Sequence, residues 1–116
     1  MLKIAIIDDD LSVRNSLEIV LKAHGHLPSS FSDPRNFLAS VDFKNFDFLL
    51  VDNDMPYMTG LELHSWLKNN FPKYPKFVLM SGRVVDEDFA KLDASSQITL
   101  LTKPFPMAKL LQVLIL

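Results

Sequence analysis

The chain has 116 residues, 48% of them hydrophobic and 22% charged, which fits a single compact domain over 1–116 with one core and leaves no room for two. Twelve Lys and Arg against fourteen Asp and Glu give a net charge of −2, and with no basic block to follow a phosphate backbone, direct nucleic-acid binding is not expected. No apolar run reaches the roughly 18 residues of a membrane span, so no membrane role is expected. The N-terminus carries no signal-peptide core, and the lack of cysteine excludes disulfides, thiolate catalysis and cysteine-ligated zinc, in keeping with a cytoplasmic setting.

Taken in chain order, four apolar runs recur: Ile4 to Ile7, Phe48 to Val51, Phe77 to Met80 and Ile98 to Leu101, with a weaker fifth candidate at Leu27 to Phe31. Each is too short for a helix. Without polar alternation, such runs predict strands covered on both faces, as in the middle of a parallel sheet. Between them the period changes. Val13, Leu17, Val20, Leu21 and His24 share a helical face that ends at Gly25. Further helices are predicted at Pro34 to Ser40, behind Asp33 as N-cap, and at Leu61 to Asn70, Asp86 to Asp93 and Met107 to Leu114. Strand and helix alternate five times. That predicts right-handed crossovers and an α/β fold, a doubly wound parallel sheet with helices on both faces.

Eleven of the fourteen acids are Asp, the shorter carboxylate, suited to turns, caps and hard-cation sites rather than element interiors. Five fall in two clusters at predicted strand exits, Asp8-Asp9-Asp10 and Asp52-Asn53-Asp54. The other exits carry Ser81-Gly82 and Thr102-Lys103-Pro104. Ligands of open parallel sheets bind outside the carboxyl ends of the strands. If the third strand lies beside the first, Asp8, Asp9 and Asp52 converge there. Three carboxylates repel one another, and a bound cation is the simplest resolution. With oxygen ligands and no nearby His or Cys, the expected ion is Mg²⁺ rather than Zn²⁺. Lys103 supplies a positive charge at the same edge, and Ser81 with the Ser81-Gly82 amides supplies donors for a phosphoryl oxygen. These parts describe a phosphoryl-transfer site with Asp52 as nucleophile, since a carboxylate is ionised near neutral pH without an activating base.

In Ile4-Ala5-Ile6-Ile7-Asp8-Asp9-Asp10, Leu49-Leu50-Val51-Asp52-Asn53-Asp54-Met55-Pro56 with Gly60, Met80-Ser81-Gly82 and Lys103-Pro104-Phe105, the sequence resembles a response-regulator receiver domain of two-component signalling, of the chemotaxis type, over essentially its whole length. The resemblance rests on four motifs in order at strand exits. It implies a flavodoxin-like, three-layer fold with strand order 2-1-3-4-5. It implies that Asp52 is phosphorylated by a histidine kinase or histidine phosphotransfer protein. Asp8 and Asp9 would hold Mg²⁺ together with Asp52 and the backbone carbonyl of Asp54. Lys103 would pair with the phosphoryl group, Ser81 would turn toward it, and the Lys103-Pro104 bond would be cis. Such a chain catalyses its own phosphorylation and slow dephosphorylation without being a conventional turnover enzyme. Its output surface would be the fourth helix, fifth strand and fifth helix, acting on an output domain or downstream protein, or pairing two copies as a homodimer.

Two positions bear on regulation. The family usually has Tyr or Phe three residues before the lysine; here it is Leu100, which implies a weaker or differently routed output. Asp54 and Arg83 stand two residues after Asp52 and Ser81, where family members tune phosphoryl hydrolysis; their opposite charges are expected to pair at the pocket mouth. His24, His26 and His64 share no ligand spacing. Two other readings compete: a haloacid-dehalogenase-type phosphohydrolase, because Asp52-Asn53-Asp54 also follows a strand as Asp-x-Asp, and a phosphorylation-independent interaction module. Pro56 and the short chain count against the first. Only Leu100 supports the second. The apolar end Leu114-Ile115-Leu116 leads to the expectation that the domain was cut from a longer regulator with a C-terminal output domain.

Overall fold

The computed structural model describes residues 1–40, 43–82 and 98–115. The helix expected over Asp86 to Asp93 lies outside them. Five strands, β1 (Lys3–Ile7), β2 (Leu27–Phe31), β3 (Phe48–Asp52), β4 (Lys76–Ser81) and β5 (Ile98–Thr102), form one sheet in the order β2-β1-β3-β4-β5, with every neighbouring pair parallel. Between and after them come α1 (Leu11–Ala23), α2 (Pro34–Leu38), a 3₁₀ turn at Phe43–Asn45, α3 (Gly60–Asn70) and α4 (Met107–Val113).

Strand alternation splits the core in two. Ile4, Ile6, Leu50, Val78, Met80 and Leu101 face Leu17 and Leu21 of α1 and Leu110 of α4. Ala5, Ile7, Leu49, Val51, Phe77 and Leu79 face Phe37 of α2 and Leu63 and Leu67 of α3. Each central strand is therefore apolar at consecutive positions, because both of its faces are covered.

Helix ends follow from local chemistry. The Asp10 side chain caps α1 by accepting from the Ser12 and Val13 amides, and His24 follows Ala23 as C-cap. Gly25 then takes φ 82°, a left-handed conformation that favours glycine. Thr59 and Glu62 form a reciprocal capping box, which starts α3 one residue earlier than the apolar spacing predicts. α2 stops at Leu38, short of the predicted Ser40, as the Ser40 amide turns back to the Phe37 carbonyl. β3 and β4 run one residue past their apolar stretches, since Asp52 pairs with Met80 and Ser81 with Thr102 in the ladders. Asp52, Ser81 and Thr102, expected just beyond the strands, are thus their last members, while Asp8 stays one residue past β1.

Candidate functional site

Register brings the acids together. Ile6 of β1 stands beside Leu50 of β3, and two residues on along each strand, on the same face, come Asp8 and Asp52. Neighbouring strands are about 4.8 Å apart, so these carboxylates share one small space. Lys103 follows Leu101 of the same face by two residues. Its Nζ donates to Asp8 Oδ2 at 3.1 Å and to Asp52 Oδ1 at 3.2 Å. Both acids are buried, whereas the Lys103 side chain is 27% exposed and reaches in from the rim. The Lys103-Pro104 bond is cis, as the resemblance implies.

The surrounding main chain holds these groups. Asp8 Oδ1 accepts the Asp10 amide at 2.9 Å, and the Asp8 carbonyl accepts Arg14 Nη1 at 2.7 Å. Ser81 is buried beside the cluster, and its carbonyl accepts the Lys103 amide at 2.7 Å. Leu100 is partly buried and packs with the α2–α3 side of the core, next to Leu79 in register. Asp9 and Asp54 are exposed. Arg83 lies outside the described residues, and with it the expected pairing to Asp54. His24 is the α1 cap, His26 Nδ1 accepts the Leu2 amide, and buried His64 shares a hydrogen bond with the Tyr74 hydroxyl; none of them joins the acids.

Burial, followed by the charge of Asp8, pushes the Asp52 carboxyl above the usual carboxylate range, against the pull of Lys103 and of the Asp54 backbone amide. Burial works against the charge on Lys103, but Asp52 and Asp8 outweigh it and raise the ammonium above its ordinary value. The cluster thus holds more negative charge than one lysine offsets. Carboxylate oxygens of Asp8, Asp9 and Asp52 all lie within 4.8 Å of one another. An all-oxygen donor set of this kind, partly open to solvent at Asp9, fits a hard divalent cation such as Mg²⁺, which keeps several waters.

A parallel sheet in this strand order with acids and a lysine at its carboxyl edge defines a chemotaxis-type receiver fold. A family model for the response regulator receiver domain matches residues 4–115, so the chain belongs to that family of two-component signalling domains. The chain is 33% identical over 109 residues to the response regulator MprA of Mycolicibacterium vanbaalenii, covering 94% of this chain and 47% of that protein. It is 34% identical over 87 residues to the transcriptional regulatory protein FlgR of Helicobacter pylori, covering 74% and 22%. It therefore spans about half the length of the first relative and about a fifth of the second. Among solved structures it resembles the Vibrio cholerae chemotaxis protein CheY4, with a TM-score of 0.85 and 27% identity over 99% of this chain and 97% of that one.

Arg14 escapes the sequence reading, and Asn53 and Gly60 enter it only as motif letters without a role. Arg14 supports the Asp8 carbonyl from the first turn of α1, and an arginine one turn into the helix after the acids is the signal that could have found it. Asn53 and Gly60 close the base of the loop after β3. A glycine at the start of a helix points to a close approach. Here a Cβ on Gly60 would meet Leu79 Cδ1 at 2.5 Å, the Asp52 carbonyl at 3.0 Å and Asn53 Cα at 3.2 Å.

Proposed function

We propose that the domain is a phosphoacceptor in a two-component phosphorelay, with Asp52 taking a phosphoryl group from a phosphohistidine on a histidine kinase or phosphotransfer protein. The observation that carries this reading is the convergence of Asp8, Asp9 and Asp52 on Lys103 at the carboxyl edge of the sheet. An Asp52 oxygen attacks phosphorus, the phosphorus–nitrogen bond breaks, and the leaving imidazole keeps the electron pair. The product is an acyl phosphate. Asp8, Asp9, Asp52 and the Asp54 backbone carbonyl would hold Mg²⁺, which supplies charge neutralisation for the transferring group when bound.

Lys103 is placed to follow the charge. Its ammonium already bridges Asp8 and Asp52, and a phosphoryl group on Asp52 offers it further acceptors. Ser81 can supply a hydroxyl donor from the neighbouring strand end. Whichever arrangement brings these groups to the phosphoryl oxygens is favoured, and the shift can be no larger than the phosphoryl group's preference for that arrangement over the other. With Leu100 in place of an aromatic ring, the change passes through β5 and α4 by packing alone. The partners in this reading are the phosphoryl donor and an output domain or downstream protein in the cytoplasm.

Intact-mass measurement with acetyl phosphate and Mg²⁺ tests the proposal. A gain of one phosphoryl group that Asp52→Asn abolishes is expected. Continuous turnover of small phosphate esters would overturn it in favour of a phosphohydrolase, and no labelling of the wild type would favour a phosphorylation-independent module.

A further inference from the structure

The loop from Asn53 to Thr59 leaves the site between Asp52 and α3, and it is tied at two separate places. At its base the Asn53 amide donates to the Met80 carbonyl at 2.9 Å, the Asn53 carbonyl accepts the Gly60 amide at 3.3 Å, and Asn53 Oδ1 accepts the Leu61 amide at 3.2 Å. Met55 anchors the middle in the core. Tyr57, at the tip, is 69% exposed, yet its ring is engaged: the Arg35 guanidinium carbon lies 3.8 Å from the ring centroid.

That guanidinium is in turn held from behind. Arg35 Nη2 and Nε donate to Asp33 Oδ2 at 2.8 and 3.2 Å, and Nε also donates to Asp33 Oδ1 at 3.1 Å. Asp33 is itself fixed as the N-cap of α2, accepting the Arg35 amide, and α2 is rooted in the core through Phe37. A planar, weakly hydrated cation backed by a carboxylate is already oriented for a ring face, so little side-chain freedom is lost when the ring stacks on it. The stack thus links the start of α2 to the loop that also carries Asp54, two residues after Asp52.

We propose that Asp33, Arg35 and Tyr57 form a positioning clamp for the 53–59 loop, setting where the Asp54 main chain meets Asp52 and the Mg²⁺ of the receiver reading, on which this proposal rests. None of the three touches the reacting atoms. They act through the loop backbone, and their exposure leaves Arg35 and Tyr57 free to be replaced without cutting into the core.

Calorimetric titration of the full chain with Mg²⁺, paired with acetyl phosphate labelling, tests the clamp in Arg35→Ala, Tyr57→Ala, Tyr57→Phe and the double alanine variant. Each alanine variant should weaken Mg²⁺ binding by about two- to fivefold, the range an exposed cation–ring contact can supply, and should slow labelling in parallel. Tyr57→Phe keeps the ring face but loses the hydroxyl that also interacts with the Arg35 guanidinium, so its loss should be smaller than that of Tyr57→Ala. The double variant should be no weaker than the weaker single one, because both remove the same contact. Unchanged Mg²⁺ affinity in both single variants, a loss in Tyr57→Phe equal to that in Tyr57→Ala, or a double loss equal to the product of the single ones would overturn the clamp while the wild type still bound and reacted. A wild type that neither binds Mg²⁺ nor takes up phosphate would overturn the receiver reading, and the clamp with it.

Discussion

Lys103 Nζ lies 3.2 Å from Asp52 Oδ1, and the same ammonium is 3.1 Å from Asp8 Oδ2, so one cation from the end of β5 serves two buried acids from β1 and β3. Removing it takes from both acids the one ammonium that bridges them among the described residues, which is costlier than losing an exposed pair. In Mg²⁺-free buffer at neutral pH, Lys103→Met should lower stability by about 1–3 kcal/mol, less than a fully buried pair would lose because the lysine is partly exposed. Urea denaturation checks this. The loss should shrink in acid as Asp52 takes up a proton, and a variant as stable as the wild type at pH 7 would show that the lysine is not the counter-ion.

The pH dependence of Asp52 follows from its direction of shift. Its folded carboxyl is raised above the ordinary 3.8, so the folded state holds the proton more tightly than the unfolded chain does. Stability linked to this group is therefore present in acid and is lost as pH rises from about 3.8 through the raised folded value. Asp52→Asn removes that loss. In Mg²⁺-free buffer the variant should melt above the wild type at pH 7, and the gap should close below about pH 3.8. Thermal melts across the range decide it; a less stable variant at pH 7 would contradict the electrostatics. Lys103 behaves as a raised base, so its contribution should persist from neutral pH and fall only above its ordinary 10.5.

On the proposed reading, Mg²⁺ should stabilise the fold by mass action, binding the native cluster and not the unfolded chain. At a concentration one hundred times its Kd the gain is about 2.7 kcal/mol. Asp9→Asn should weaken that gain with little effect on the metal-free protein, because Asp9 is exposed and Asp8 and Asp52 keep Lys103. Thermal shift with and without Mg²⁺ separates the two effects. Equal Mg²⁺ responses in variant and wild type would remove Asp9 from the ligand set.

Gly60→Ala tests the close packing behind the end of β3. Alanine would favour the helix by at most about 1 kcal/mol, but its methyl would crowd Leu79 and the backbone of Asp52 and Asn53. Overpacking typically costs about 1–3 kcal/mol, so the net result should be destabilisation with slower phosphorylation. A variant that is more stable and fully reactive would mean that the loop relaxes freely.

The parts of the fold and site that were legible in the sequence are those written in local pattern. Apolar runs marked β1, β3, β4 and β5, and the acids and the lysine at their exits pointed to one edge of the sheet, where Asp8, Asp9 and Asp52 converge beside Lys103. What stayed hidden depends on contacts between distant loops. Nothing local distinguishes Arg35 beside Asp33 from an ordinary helix-start pair, or Tyr57 from a loop aromatic; only the fold lays one on the other. Asn53 stood in the motif without a role of its own, whereas its side chain accepts the Leu61 amide at the start of α3.

The triplet Asp8-Asp9-Asp10 looks redundant as text, yet each position does different work. Asp8 faces the lysine, Asp9 looks outward beside the other acids, and Asp10 caps α1. Three copies of one letter therefore cannot stand in for one another. Deleting any one would rotate α1 by about 100° relative to β1, turning Leu17 and Leu21 away from the sheet, so this run of three acids should tolerate substitution far better than a change of length.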